Sequence, residues 1–274
     1  MKPAETEQIE IELLLEGIWQ KYGYDFRDYA FASIRRRIWK RAHDEGLSTI
    51  SALQEKVLHN PSCIERLLND FSVSVSDFFR DPGFYLALRE KILPLLRTYP
   101  FVRIWHAGCS KGEEVYSLAI LLLEEGLYEK CRIYATDFNV NDLEKAKSGI
   151  YSIKRMKQFT QNYIKSGGKT DFSKYYTARH DNAIFIAQLK KNILFTQHNL
   201  VTDKSFNEFN LILCRNVMIY FNRDLQSKTH GLIYESLSQW GVLGLGEKES
   251  IKFTPFEDSY DILDEKQKLF RKIR

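Results

Sequence analysis

From Phe101 onward, short apolar runs alternate with amphipathic helical patterns, and this alternation restricts the possible folds more than any other feature. The apolar runs predict strands at Val102–Ala107, Arg132–Thr136, Ile193–Gln197, Asn210–Cys214 and Gly241–Leu245. Helical patterns lie between them at Glu113–Leu123, Val140–Ala146 and Arg223–Trp240. Repetition of strand, helix and strand predicts a parallel sheet joined by crossover helices, which is an α/β fold.

Residues 1–80 lack such strands and predict an all-helical domain. Apolar residues recur there at near-helical spacing, and a proline opens the last of the helices, as proline does in a first helical turn. The expected helices are Ile9–Tyr22, Phe26–His43, Ile50–Leu58 and Pro61 to about Phe71.

A linker helix and an insertion complete the predicted organisation. The linker is expected over Asp81–Thr98, with Asp81 as its N-cap, and Pro94 is expected to kink it or end it early. Residues 150–192 interrupt the alternation, and two short apolar runs there predict a small antiparallel element, at Lys174–Thr177 and Ala183–Ala187. The predicted domains are 1–80 (helical), 81–100 (linker) and 101–274 (α/β, with an insertion at about 150–192).

Composition excludes several classes of protein. Apolar residues make up 44% of the 274 residues and the formal net charge is only +4, which excludes disorder of the whole chain. No stretch approaches the roughly 20 apolar residues that a membrane span needs. The acidic N-terminus has no signal-peptide core. We therefore expect a cytoplasmic protein without membrane insertion.

Neither a metal site nor a disulfide framework is expected. The cysteines are Cys63, Cys109, Cys131 and Cys214, and no two of them form a CxxC pair. The six histidines show no HExxH or HxxxH spacing. Cys214 is expected to be a small buried hydrophobe.

The turn after the first predicted strand is a candidate ligand site. Ala107–Gly112 consists mainly of small residues, which let a ligand approach the backbone, and ligands of such sheets bind beside the carboxyl ends of strands. The turn matches neither GxGxxG nor a Walker loop. Ser110 and Glu113 have capping-box spacing, which leaves Glu114 free to meet a ligand ammonium. The alternative is a plain tight turn.

Asp137 ends the second predicted strand. A carboxylate at this place can accept hydrogen bonds from both hydroxyls of a nucleoside ribose. The alternative is a turn or helix-capping carboxylate, but Asn141 and Glu144 already have the spacing of a capping box downstream.

Two other segments carry polar residues at candidate contact positions. Arg215 and Asn216 follow a hydrophobic strand, and the ring of Tyr220 could face a cation. Arg80 follows Phe78-Phe79, which are expected in the core, and could clamp a carboxylate. The alternative for Arg80 is an ion pair with Asp77 or Asp81.

Taken together, four segments resemble the bacterial chemotaxis receptor methyltransferases (CheR). They are Ser74-x-Ser76-x-Phe78-Phe79-Arg80, Gly112-Glu113-Glu114-x-Tyr116-Ser117, Ala135-Thr136-Asp137 and Cys214-Arg215-Asn216-Val217-Met218-Ile219-Tyr220-Phe221. The resemblance spans roughly residues 10 to 272. It implies an N-terminal helical domain and a class I, Rossmann-like methyltransferase domain with a mostly parallel sheet. It also implies methyl transfer from S-adenosylmethionine to glutamate side chains on chemoreceptor helices, with S-adenosylhomocysteine as product.

The resemblance further implies which residues form the site. Arg80 and Tyr220 lie nearest the transferred methyl in this family. The cofactor contacts fall on Ser74, Ser76, Arg80, Glu114, Asp137, Asn199, Leu200, Cys214 and Arg215. The chain departs from the family at Ser74 and Ser76, where Asn and Thr are common, and at Lys111, where Thr is usual. A common His-Ser-Glu stretch is replaced by Leu245-Gly246-Glu247, followed by Lys248-Glu249-Ser250.

A run of cations on the second predicted helix is the candidate docking surface: Arg35, Arg36, Arg37, Lys40 and Arg41. Ile34, Ile38 and Trp39 would face the core and leave the cations outward. Residues 1–80 hold 11 Lys/Arg and 13 Asp/Glu, so this basic charge is local. The resemblance implies docking to an acidic receptor helix. A solvated face and nucleic-acid binding are the alternatives, and the low net charge disfavours the second.

A general base is not expected, because a glutamate side chain, with a pKa of about 4.3, is already ionised at pH 7. Two other functions stay open: a small-molecule O-methyltransferase and a non-catalytic cofactor-sensing scaffold. We expect a monomer. Some family members hold a receptor peptide through a glycine-rich loop, from which Ser166–Asp171 differs, although an antiparallel edge could still add a peptide strand.

Overall fold

Residues 3–72 and 76–274 are described by a computed structural model, in which the chain divides into two units. Unit 1 comprises Met1–Val73 and Tyr220–Thr229, and unit 2 comprises Ser74–Ile219 and His230–Arg274. Ser74, one of the expected cofactor contacts, lies outside the described residues. No helix in the described part of the chain is long and apolar enough to cross a membrane.

Unit 1 contains the four predicted helices. They are α1 (Pro3–Tyr22), α2 (Phe31–Asp44), α3 (Ile50–His59) and α4 (Pro61–Phe71). The side chain of Thr49 caps α3, and that of Asn60 caps α4. Helix α2 begins five residues later than predicted, because the segment before it pairs with another part of unit 1: the Ala30 amide donates to the Tyr220 carbonyl at 2.8 Å.

Unit 2 is built on a mostly parallel sheet, as predicted, but the sheet has seven strands where five were predicted. Its strands are β1 (Val102–Ala107), β2 (Cys131–Asp137), β6 (Ile193–Gln197), β7 (Phe209–Cys214), β8 (Leu237–Leu245), β9 (Tyr260–Asp264) and β10 (Leu269–Lys272). The order is β6-β2-β1-β7-β8-β10-β9, and β10 runs antiparallel to both its neighbours. The β9–β10 hairpin was not predicted. Leu237–Trp240, predicted to be helical, belongs to β8.

The insertion forms a separate antiparallel sheet in the order β3-β5-β4. Its strands are β3 (Ile150–Ser152), β4 (Tyr176–Arg179) and β5 (Asn182–Phe185), of which the sequence predicted the last two with shifted bounds. The remaining α-helices are α5 (Pro82–Ala87), α6 (Leu93–Leu96), α7 (Glu113–Glu124), α8 (Val140–Ser148), α9 (Met156–Lys165) and α10 (Arg223–Ser236).

The linker helix differs from its prediction at both ends. Asp81 occupies the N-cap position and Pro82 the first turn, as predicted, but Asp81 has a left-handed backbone (φ +54°) and its side chain makes no cap bond to the helix. A π-helical turn, Leu88–Ile92, precedes Pro94, which lacks the N–H that would bond to Glu90. The helix nevertheless continues to Leu96.

The core of unit 2 lies between the sheet and α7. Residues 113–122 of α7 are all buried, and the apolar strand residues pack in the same cluster. Phe78 and Phe79 are fully buried in it, as predicted. Their burial fixes the segment that leads into Arg80 and Asp81.

Candidate active site

The parallel strands β6, β2, β1 and β7 end at one edge of the sheet, which we call the carboxyl edge. Ala107 of β1 pairs with Thr136 of β2 and with Cys214 of β7. Asp137 pairs with Gln197 at the end of β6. The loops after these strands therefore begin side by side, and they bring together the predicted residues Glu114, Asp137, Asn199, Leu200, Cys214 and Arg215.

The turn between β1 and α7 lies close to its neighbours because it contains glycine. Gly108 has φ +71°, and a Cβ there would lie 2.4 Å from Cγ2 of Val217. Gly112 has φ +89°, and its Cβ would lie 2.9 Å from that of Ala146. Ser110 also has a positive φ of +49°. Side chains at the two glycines would push the turn away from the loops that meet it.

Asp137 holds this turn with its carboxylate. Its Oδ2 accepts a hydrogen bond from the Ser110 amide at 2.8 Å, and its Oδ1 accepts one from the Asn139 amide at 2.9 Å. Burial raises the pKa of Asp137 to about 6. Asp137 therefore does stabilise the turn, which was the alternative interpretation. Each of its carboxylate oxygens still has a further lone pair that can accept a hydrogen bond from a ligand hydroxyl. The N-cap of α8 is Asn139, whose side chain accepts a hydrogen bond from the Asn141 amide. The prediction of a capping box formed by Asn141 and Glu144 was therefore wrong.

Glu114 and Arg215 form a buried ion pair. Nη1 of Arg215 donates to Oε1 of Glu114, and Nη2 donates to Oδ2 of Asp81 at 2.7 Å. The guanidinium lies over the Phe84 ring, 4.0 Å from its centroid. Burial raises the pKa of the Glu114 carboxyl, and the Arg215 guanidinium opposes that rise. Glu114, expected to be free for a ligand ammonium, thus has a protein partner in this structure.

Glu113 does not form the predicted capping box with Ser110. Gly112 occupies the N-cap of α7, and Glu113 is the first helical residue. Burial raises the pKa of Glu113 to about 7. Sequence spacing alone could not reveal that Gly112 is the N-cap, because the start of the helix is set by the left-handed backbone of Gly112.

Four buried polar atoms at this edge have no hydrogen-bond partner within the described residues: Oγ of Ser110, Oε2 of Glu113, Nε of Arg215 and Oδ1 of Asn216. Native proteins rarely leave such atoms unsatisfied. A polar ligand at the carboxyl edge would supply the missing partners, so the residues present fit a nucleoside-type cofactor. No three His, Cys, Asp or Glu side chains of the described chain come together as metal ligands.

Arg80 is half-buried beside Arg215. Its carbonyl accepts a hydrogen bond from Nη1 of Arg215 at 3.4 Å, and the preceding Phe79 amide donates to Oγ of Ser117 on α7 at 2.9 Å. The acids proposed as its partners pair elsewhere: Asp77 with Arg155 and Asp81 with Arg215. Ser76 is half-buried four residues earlier.

The other expected cofactor contacts occupy loop and strand-end positions. Oδ1 of Asn199 accepts from the Val201 amide at 3.0 Å, and the Asn199 amide donates to Asp203 at 2.8 Å, which fixes the loop after β6. Leu200 is half-buried in that loop. Cys214 is fully buried, as predicted, and burial raises the pKa of its thiol.

Glu249 is a site residue that the sequence reasoning missed. Its buried carboxylate accepts four backbone hydrogen bonds of 2.7–2.8 Å. The donors are the amides of Asn216, Val217, Met218 and Gly246. Asn216 has φ +60°, so this carboxylate fixes the strained turn directly after Arg215. The available signal lay beside the altered His-Ser-Glu stretch: the glutamate of that stretch is Glu247, and Glu249 follows it by two residues.

The cation run on α2 is divided by burial. Arg35, Arg36 and Lys40 are exposed, whereas Arg37 is only 6% exposed, so the prediction that all five cations face outward was wrong. Arg35 pairs with Glu7, and Lys40 and Arg41 pair with Asp70. Arg36 has no ion pair with another described residue. Tyr220 lies in unit 1, half-buried, with its ring under the Arg37 guanidinium.

Comparison with known proteins finds two matching family models. The CheR methyltransferase all-alpha domain matches residues 9–72, and the CheR methyltransferase SAM-binding domain matches residues 74–267. A putative methyltransferase Cher3 of Pseudomonas putida is 50% identical over 272 residues, which are 99% of this chain and 100% of that protein. A chemotaxis protein methyltransferase of Listeria monocytogenes is 28% identical over 84% of this chain and 85% of its own. A chemotaxis protein methyltransferase of Salmonella typhimurium is 29% identical over 85% of this chain and 81% of its own.

Proposed function

This chain belongs to the CheR methyltransferases, and from that premise we propose that it methylates glutamate side chains on the cytoplasmic helices of chemoreceptors. Its cofactor is S-adenosylmethionine. The observation that carries the proposal is the carboxyl edge, where Asp137 ends β2 and a buried ion pair joins Arg215, directly after β7, to Glu114 in the first turn of α7.

The residues present suit the two ends of this cofactor. Glu114 offers an anion to the ammonium of the methionine part, and Arg215 offers a cation to its carboxylate. Asp137 offers acceptor positions to the ribose hydroxyls. We assign the remaining contacts to Ser76, Asn199, Leu200 and Cys214, and to Ser74 outside the described residues. The bound cofactor supplies an electrophilic methyl group on a sulfonium.

The protein needs no general base for this reaction. A receptor glutamate is ionised at neutral pH, so the enzyme has to orient its carboxylate and exclude water. Arg80 is proposed to hold the incoming carboxylate, and Tyr220 to line the sulfonium. The imidazole in β1 is a poor alternative base, because burial lowers the pKa of His106 to about 3.

Docking is proposed to use the exposed cations of α2. Arg36 is free of ion pairs within the described chain, and Arg35 and Lys40 are exposed beside it. An acidic receptor helix would complement this surface, and opposite charge speeds encounter and fixes register. Arg37 is withdrawn from the docking set because its side chain is buried.

Two measurements test the proposal. Calorimetric titration with S-adenosylhomocysteine should show saturable binding to the full chain. Radiolabelled S-adenosylmethionine should then transfer its methyl to receptor-containing membranes, and mild alkali should release the label as methanol, as it does from a carboxyl ester. Receptors with alanine at the candidate glutamates are the control.

The outcomes separate the alternatives. Label in a small carboxylic acid, with none on receptors, would replace the proposal by a small-molecule O-methyltransferase. Binding without transfer to any acceptor would leave a cofactor-sensing scaffold. With cofactor and receptor saturating, the rate should change little between about pH 6 and 8, since the receptor glutamate is already ionised and the proposed mechanism uses no general base. A steep rise with an apparent pKa near 7 would contradict the base-free mechanism.

A further inference from the structure

Arg37 has a different environment from every other cation of the α2 run. Arg35, Arg36 and Lys40 are exposed, and Arg41 is half-buried with Asp70 as its partner. Arg37 is 6% exposed, on the same helical face as Ile34 and Ile38. A buried guanidinium has lost its hydration, so its contacts with the protein must replace water.

Those contacts join three parts of unit 1. Nη1 of Arg37 donates to the carbonyl of Phe71, the last residue of α4, at 2.9 Å. The guanidinium carbon lies 4.9 Å from the centroid of the Tyr220 ring, within the range of a cation–π contact. Such a contact is stronger where water is excluded, and the Arg37 partner of this one is buried.

The backbone around Tyr220 is fixed by the residues that lead into α2. Its carbonyl accepts from the Ala30 amide at 2.8 Å, and the Asn222 amide donates to the Asp28 carbonyl at 2.9 Å. The rings of Tyr29 and Phe221 meet edge to face, with centroids 4.9 Å apart. The backbone of Tyr220 is thus set by the segment before α2, and its ring is set by Arg37 within α2.

We propose that Arg37 is a positioning residue that holds the Tyr220 ring in the orientation that methyl transfer requires. This inference rests on the proposed function, in which Tyr220 lines the sulfonium. Arg37 itself touches neither receptor nor cofactor in this scheme. Lysine should replace it poorly, because a lysine ammonium lacks the planar fork that serves Phe71 and the ring at once.

Steady-state methylation of receptor membranes by full-length variants tests the inference. Arg37→Met should lower kcat about tenfold or more and change the receptor KM less than about twofold. Arg36→Ala, its neighbour on the exposed face, should raise KM and keep kcat. Arg66→Ala removes an arginine of the same unit whose side chain is 42% exposed and bonds to Glu45 and Ser62, away from Tyr220, and it should change neither constant. An Arg37 variant that raises KM alone would return Arg37 to the docking set.

A double-mutant comparison asks whether Arg37 acts through Tyr220. In a Tyr220→Ala background, Arg37→Met should reduce kcat little further, because the ring that it positions is gone. Equal reductions in both backgrounds would overturn the inference. If Arg37→Met fails to fold by circular dichroism, Arg37→Lys carries the same comparison.

A spectroscopic readout keeps this inference separate from the proposed function. The chain has 15 tyrosines, and biosynthetic fluorotyrosine with Tyr220→Phe as reference identifies the fluorine resonance of residue 220. Arg37→Lys should shift that resonance, and Arg66→Ala should not. An unmoved resonance would refute the positioning role whatever the activity. A wild-type chain that methylates no receptor would refute the proposed function whatever the resonance.

Discussion

The carboxyl edge of unit 2 and helix α2 of unit 1 both concentrate charge, but they bury it to different extents. Arg215 is 4% exposed and binds two carboxylates, whereas Arg35, Arg36 and Lys40 stand in solvent. A buried charge depends on each of its partners, since water cannot replace them. An exposed ion pair contributes little to stability. Charges at the carboxyl edge should therefore be interdependent, and those of α2 should be separately replaceable, with Arg37 as the exception.

The largest expected effect is at Arg215. Arg215→Met leaves Glu114 and Asp81 without their cation, and loss of one partner of a buried pair costs about 3–5 kcal/mol of unfolding free energy. Denaturant unfolding measures it, and cofactor binding should be lost as well. Lys191→Ala breaks an exposed pair with Glu129 in the same unit and is the control. Similar unfolding curves for the two variants would contradict the comparison.

Glu249 tests the same idea with backbone partners. Glu249→Gln replaces one acceptor oxygen by an amide that faces backbone N–H groups, so we expect a loss of about 1–3 kcal/mol of unfolding free energy. S-adenosylhomocysteine affinity should fall too, since the turn after Arg215 loosens. Glu247→Gln, two positions earlier and exposed, should change neither quantity. If Glu249→Gln and Glu247→Gln had the same unfolding free energy and the same S-adenosylhomocysteine affinity, contacts other than those of Glu249 would hold the turn.

Asp137 is expected to contribute to affinity. Asp137→Ala should weaken S-adenosylhomocysteine binding by about 1–3 kcal/mol, the scale for charge-assisted hydrogen bonds, as measured by calorimetry. Asp261→Ala, at an exposed ion pair with Arg271, is the control. A dissociation constant that stays unchanged in a folded Asp137 variant would remove this residue from the site.

The buried acids should also make stability depend on pH. The pKa of Asp137 rises from 3.8 to about 6 on folding, so the folded chain keeps a proton that the unfolded chain loses between these values. Its contribution to the unfolding free energy is complete below about pH 4 and disappears as the pH rises through about 6. Unfolding experiments across this range should show a weaker pH dependence for Asp137→Asn than for wild type. If the unfolding free energies of wild type and Asp137→Asn changed with pH in parallel, the proton retained on folding would belong to a residue other than Asp137.

The smallest effect is expected on α2. Arg36→Ala should lower receptor methylation a few-fold at low salt and less at high salt, because exposed charges are screened within about 10 Å at 0.1 M salt. Cofactor affinity should stay the same. Combination with Lys40→Ala should add to the effect, in contrast to the interdependent carboxyl edge. Equal methylation by wild type and the double variant at low salt would make this face of α2 a solvated surface.

Much of the fold and the motif positions followed from the sequence. Helices α3 and α4 and strands β1 and β6 lie within about a residue of their predicted bounds, and α1 ends where predicted but begins six residues earlier. Each carries a periodic apolar pattern that local spacing reveals. The family resemblance is confirmed by both matched domains. The roles that it implies for Arg80, Glu114, Asp137 and Arg215 stay predictions.

Pairing was decided by the tertiary structure. Three facts depend on residues far apart in the chain: Arg215 binds Glu114 and Asp81, Glu249 holds the turn after β7, and Arg37 turns inward to Tyr220. The weakly patterned β9–β10 hairpin likewise forms against β8. The periodicity of a sequence shows which face of a helix or strand is apolar. The partner of a buried charge is whichever chain segment the fold brings within hydrogen-bond distance, and spacing along the sequence does not indicate which segment that is.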